Sequence, residues 1–150
     1  MAALDRVRNL FHSINVFLGS ATDPGWVDAA IVGAAQKAIQ QYLKSRSDPL
    51  NALKTLSQNM QSASAASSMN TFALALSLCG KQIEVVVEAM DAVGDEHFNV
   101  CVIEMCIDAI AKYFITLGKR HNAPFVSDLG KFITEVWNTP SHLVYINPRT

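Results

Sequence analysis

Apolar residues recur at intervals of three and four along nearly the whole chain, the spacing that lines one face of an α-helix. No Asn-Gly or Asp-Gly pair stands between alternating runs, so nothing marks a β-hairpin. The pattern predicts an all-α protein. Leu4, Val7, Leu10, Phe11, Ile14 and Phe17 place a first helix over 3–18, closed by Gly19 and the turn-forming Thr22-Asp23-Pro24-Gly25. Ile31, Ala35, Ile39, Tyr42 and Leu43 give the apolar side of a second, over 26–44. Ser47-Asp48-Pro49 ends that helix and starts the next, because Asp caps a helix and Pro suits its first turn.

The third helix carries Leu50, Leu53, Leu56 and Met60, and is expected to fade into a Ser/Ala-rich loop over 61–68. From Asn70 to Ala92 the chain is apolar again, and Gly80 is expected to divide it into one kinked or two short helices. After a break around Gly94, the segment 98–117 is apolar almost all round except for a stripe of Glu104, Asp108 and Lys112, four apart. Such a helix belongs in the middle of a bundle. A last helix over 124–138 precedes a tail that Pro140 and Pro148 bracket. The expectation is one domain over 1–150, of about seven helices around 98–117, with 1–22 an extra N-terminal helix and 141–150 a short tail.

Composition narrows the function more than the fold. The 150 residues are 50% hydrophobic and 17% charged, which excludes a disordered or low-complexity chain. Twelve Lys and Arg against 13 Asp and Glu leave a net charge of −1, so no basic surplus is available to neutralise phosphates, and nucleic acid is excluded as a partner class. Three cysteines fit neither a disulfide framework nor a zinc signature, which points to a reducing compartment. The opening MAALDRVRNLF lacks an apolar run before a cleavage site, so no signal peptide is expected. Val100–Leu117 has the length of a membrane span but contains three charges, each costing roughly 2.5–3.5 kcal/mol on an insertion scale; it reads as a core helix, without a transmembrane anchor.

Candidate chemistry is sparse. His97 and Cys101, one turn apart, could present two metal ligands, but no third stands at a suitable spacing. Cys79, Cys101 and Cys106 with the four histidines carry no local signature of a nucleophile pair, and read as structural thiols. Glu104 and Asp108 beside Lys112 read as an ion-paired stripe rather than an acid–base pair. Lys119-Arg120-His121 suits a helix C-terminus, where cations offset the dipole. No catalytic constellation, metal site or cofactor is expected. What remains is a helical bundle suited to binding a partner helix in a groove.

Four stretches, in order, resemble the Bcl-2 family of apoptosis regulators. Leu53-Lys54-Thr55-Leu56-Ser57-Gln58-Asn59-Met60 is similar to the third homology motif, with Ser57 for the usual Gly and Gln58 for the usual Asp. Val86-Val87-Glu88-Ala89-Met90, with Gly94 and His97-Phe98-Asn99-Val100, is similar to the family's Val-Val-Glu-Glu-Leu stretch and its Asn-Trp-Gly-Arg motif. Residues 124–129 and 133–138 resemble the sixth helix, and 39–44 the first. The departures are specific. Val100 stands where the family has the Arg that pairs with an Asp of the bound helix, Asn99 replaces the Gly and Phe98 the Trp. The second homology motif survives only as Leu143-Val144-Tyr145-Ile146, and 3–18 have no counterpart. Such divergence is what viral members look like.

The resemblance implies a Bcl-2-like bundle that inhibits apoptosis by sequestering amphipathic death-motif helices of pro-apoptotic proteins, Bim-like or Bak/Bax-like. Matched position by position, the peptide groove would be lined by Met60, Val86, Met90, Phe98, Asn99, Val100, Val102, Ile103 and Ile107. The setting would be the host cytoplasm, with recruitment to mitochondria through partners. A homodimer is expected, with 3–18 or the groove rim in its interface. Two other readings share the pattern: a helical viral coat or nucleocapsid protein, and a pro-apoptotic member of the same family.

Overall fold

The computed structural model describes residues 2–20, 29–46, 48–65, 70–94 and 97–139. Those residues form six helices and no strand: α1 (Ala2–Gly19), α2 (Ala29–Lys44), α3 (Pro49–Ser64), α4 (Thr71–Val93), α5 (Cys101–Arg120) and α6 (Pro124–Trp137). The chain is all-α. Three helix boundaries follow directly from local residues. Asp48 caps α3 by accepting from the Leu50 N–H, with Pro49 in the first turn. Asn70 caps α4 by accepting from the Ala73 N–H. Gly94 ends α4 with φ +75°, a conformation that side chains rarely adopt.

α4 runs through Gly80 as one helix of 23 residues, so of the two expectations it is a single helix and not two short ones. A mid-helix Gly costs about 1 kcal/mol relative to Ala, and packing outweighs it. A Cβ at position 80 would stand 3.0 Å from the Ser57 carbonyl oxygen and 2.8 Å from Gln61 Cγ, so the missing side chain lets α3 and α4 approach closely. Ser57 Oγ donates to the Gly80 carbonyl oxygen at 2.7 Å, and Gln61 Nε2 donates to Ser57 Oγ at 3.1 Å. That network also keeps 61–64 helical, where a loop was expected. The α5–α6 contact uses the same device. Cβ atoms at Gly118 and Gly130 would fall 2.3 Å from the Ser127 N and 2.6 Å from the Ala111 O.

α1 is part of the core. Leu4, Val7, Leu10, Phe11, Ile14, Phe17 and Leu18 are all buried. Phe11 meets the Tyr42 ring edge-on at 5.9 Å, and Phe17 packs on Phe125 and Phe132 at 5.4 and 4.9 Å. Arg6 and Arg8, about 200° apart around the helix, fasten its two flanks. Arg6 donates to the Trp137 carbonyl oxygen at the end of α6, while Arg8 donates to the Leu43 carbonyl oxygen and, at 3.5 Å, to that of Tyr42, at the end of α2. Both guanidiniums thus meet carbonyls that a helix terminus leaves without intrahelical partners. The apolar stripe of 3–18 is therefore consumed within the chain and is not free to form the expected dimer interface.

α5 is the helix that the pattern placed at the centre of the bundle. α5 begins at Cys101, three residues later than its pattern suggested, and Phe98–Val100 precede it outside the helix, Val100 in a turn. Its contacts lie on one side, against α4 and α6, leaving Cys101, Glu104, Met105, Asp108, Lys112 and Thr116 exposed. α4 packs chiefly between α3 and α5, and touches α2 and α6. The turn at 22–25, the start of the second helix at 26–28 and the tail with Leu143–Ile146 lie outside the described residues.

Candidate functional site

The nine groove positions separate into two groups. Met60, Val86, Met90, Ile103 and Ile107 are buried in the core, so as they stand they line no open groove. Val86, Ile103 and Ile107 share a void of about 10 Å³ with Leu53, and its remaining wall includes Val7 and Phe11 of α1. The space that the resemblance reserves for a partner helix is filled at that point by the chain's own first helix. Phe98, Asn99, Val100 and Val102 lie at the surface, Phe98 and Val102 half-buried and Asn99 and Val100 exposed.

These four meet where α4 ends and α5 begins. Gly94 turns the chain out of α4, and the Asn99 side-chain oxygen accepts from the Cys101 N–H at 2.9 Å, setting the first turn of α5. Val93 and Val100 flank the corner, 48% and 47% exposed. Phe98 packs one side of its ring on the core. The corner carries apolar side chains at Val93, Phe98 and Val100. At Val100 it presents a valine where an ion pair with a ligand carboxylate would need a cation.

A second concavity, about 420 Å³, lies between the N-terminal half of α3 and the C-terminal half of α4. Asp48, Glu84, Glu88 and Asp91 line it with one cation, Lys54, and Leu50 and Val87 form its apolar floor. Sequence reasoning did not single out this cleft, because its carboxylates come from two helices and stand together only once Gly80 has brought α3 and α4 into contact.

The remaining chemical candidates are structural. Cys79 is buried, and desolvation pushes its thiol up to about 12; burial likewise raises Cys106. Such thiols are poor nucleophiles. His97 and Cys101 are both exposed, and among the described residues no three His, Cys, Asp or Glu side chains gather as a metal site. Glu104 lies 3.8 Å from Arg6, and Lys112 lies 2.9 Å from Asp108, so the polar stripe of α5 is an exposed, ion-paired edge. Among the described residues no helix is long and apolar enough to cross a membrane. Compared with known proteins, the chain matches no family model, no curated protein and no solved structure.

Proposed function

We propose that this protein restrains programmed cell death in the manner of the Bcl-2 family, by holding an amphipathic death-motif helix of a pro-apoptotic partner at the α4–α5 corner, with no catalytic step. One observation carries the reading: Phe98 and Val100, two of the positions that the family resemblance matches to its groove, stay at the surface where five others are buried, Val100 being 47% exposed. Apolar side chains gathered at a surface mark interaction sites, and an amphipathic helix offers the matching i, i+3/i+4, i+7 anchors. Binding there rests on apolar burial, roughly 1.5–3 kcal/mol for each ligand anchor before the entropy of association. With Val100 in place of a cation, it depends weakly on salt.

Calorimetric titration of the full chain with a panel of death-motif peptides tests this. At least one peptide should bind with micromolar affinity or better, and Val100→Glu should weaken it at least tenfold without changing the far-ultraviolet circular dichroism. Replacing the ligand's Asp with Ala should matter little. A panel in which no peptide binds overturns the proposal.

A further inference from the structure

α1 differs from the other helices in how it is held. Val7 and Phe11 border a void with Val86, Ile103 and Ile107, and Phe11, Ile14 and Leu18 border another with Met60, each about 10 Å³. The fit beneath α1 is therefore incomplete. Ser13 Oγ and Asn15 Oδ1 are also shut off from solvent without a hydrogen-bond partner among the described residues, a cost that the docked helix carries. α3 with α4, and α5 with α6, close at glycines whose Cβ would strike the backbone of the opposing helix, whereas a Cβ at Gly19 would meet only the Gln36 side chain, at 3.4 Å. Arg6 and Arg8 tie α1 down at its two flanks, on carbonyls at the ends of α6 and α2.

We infer that α1 is the exchangeable occupant of a helix-binding seat, which an amphipathic helix of a partner takes by displacing it. The anchors are legible in α1 itself. Leu4, Val7, Phe11, Ile14 and Leu18 stand at i, i+3, i+7, i+10 and i+14, so the partner needs apolar residues at the same spacing. That partner's class rests on the function proposed above; the exchange does not. Ile103 follows Val100 by three residues, about 4.5 Å along the chain of α5, so the seat continues from the α4–α5 corner. The other five helices all follow α1 in the chain, and it can lift away without parting any two of them. A helix that enters the seat binds only the undocked state, the differential affinity that a population shift requires. Arg6 and Arg8 thus set the threshold for binding, and binding releases 2–19.

Exchange is tested first without a death-motif ligand, by titrating the full chain into a fluorescently labelled synthetic peptide of residues 2–19 and reading anisotropy. In the wild type the tethered helix competes at an effective concentration of about 1 mM, so the peptide should bind no tighter than that. A chain carrying Arg6→Ala and Arg8→Ala has a weaker competitor and should bind the same peptide at least tenfold tighter. Arg6→Ala alone, which keeps one tie, should show a smaller gain, and circular dichroism checks the fold of both variants. With peptide bound, amide exchange read by mass should show the variant's own 2–19, distinct in mass, losing protection while α3, α4 and α5 keep theirs. Equal affinity for the wild type and both variants overturns the inference, as does a bound peptide that leaves the chain's own 2–19 protected. A death-motif peptide supplies the second arm. One that binds the wild type and deprotects 2–19 supports the exchange, and one that binds and leaves 2–19 protected overturns it while the corner reading stands. A chain that exchanges its own helix but binds no death-motif peptide supports the exchange and overturns the proposed function.

Discussion

The Arg6 guanidinium lies over the Trp137 ring, its central carbon 3.8 Å from the ring centroid, and donates to the carbonyl oxygen of the same residue. One side chain near the start of the chain therefore closes the last described helix, across 131 positions of sequence. It combines a cation–π contact with a charged hydrogen bond at a helix C-terminus. Because the side chain is 40% exposed, solvent screens part of this. Arg6→Ala should lower the unfolding free energy by about 1–2 kcal/mol. Arg6→Lys should recover only a part, since an ammonium cannot both stack and donate in the plane. Paired thermal and denaturant melts measure both.

Glycine substitutions should divide by what a Cβ would meet. Gly118→Ala drives a methyl against the Ser127 backbone, which cannot rotate away, and should cost about 3 kcal/mol. Gly33→Ala meets nothing within 4 Å, on an exposed face of α2, and should stabilise by about 0.5–1 kcal/mol. Equal effects from the two would contradict the close α5–α6 contact.

Met90 and Phe98, adjacent in the family-derived groove, should now behave differently. Met90→Glu buries an unpaired carboxylate at a side chain 1% exposed, and should lower stability by roughly 3–5 kcal/mol or prevent folding. Phe98→Ala removes a half-buried ring and should cost about half as much while leaving a folded protein. Urea unfolding curves rank the two.

Alkaline pH should destabilise the fold in a defined window. Burial raises the Cys79 thiol from 9.0 to about 12, and the Tyr42 hydroxyl from 10.0 to about 12, for Tyr42 against the lowering effect of Arg8. Both groups are held neutral in the folded chain. Their contribution is fully present below the unfolded values and is lost as pH rises through about 9 toward 12, because only the unfolded state then releases protons. Melting temperatures should fall progressively across that range, and Tyr42→Phe should flatten the upper part of the decline. Thiol labelling gives a second readout at neutral pH: the exposed Cys101 should react in the native protein, and Cys79 and Cys106 only on unfolding.

Much of the fold was legible because the 3.6-residue period is strong in α1, α2 and α6, and because Asp48-Pro49 and Asn70 carry their own start signals. Gly80 misled because its local penalty is visible in the sequence, whereas the α3 backbone that needs the space is 23 residues away. The burial of five of the nine groove positions was hidden for a related reason. The resemblance supplies positions but not their covering, and 3–18, for which it offered no counterpart, put Val7 and Phe11 against Val86, Ile103 and Ile107. Phe98 and Val100 stay at the surface because Gly94 ends α4 before them and α5 starts only at Cys101, whose N–H donates to the Asn99 side chain.

The docking of α1 between the ends of α2 and α6 also orders events during synthesis. From Gly19 to Trp137 the ribosome must add 118 residues, which at 5–20 residues per second takes roughly 6–24 s. Throughout that interval the seven apolar side chains of the first helix have emerged without the partner that Arg6 will fasten. Nascent chains stalled before Pro124 should therefore be cut readily by protease and held by chaperones, and release past Trp137 should protect them. A segment made before the other five helices is thus among the last to be secured.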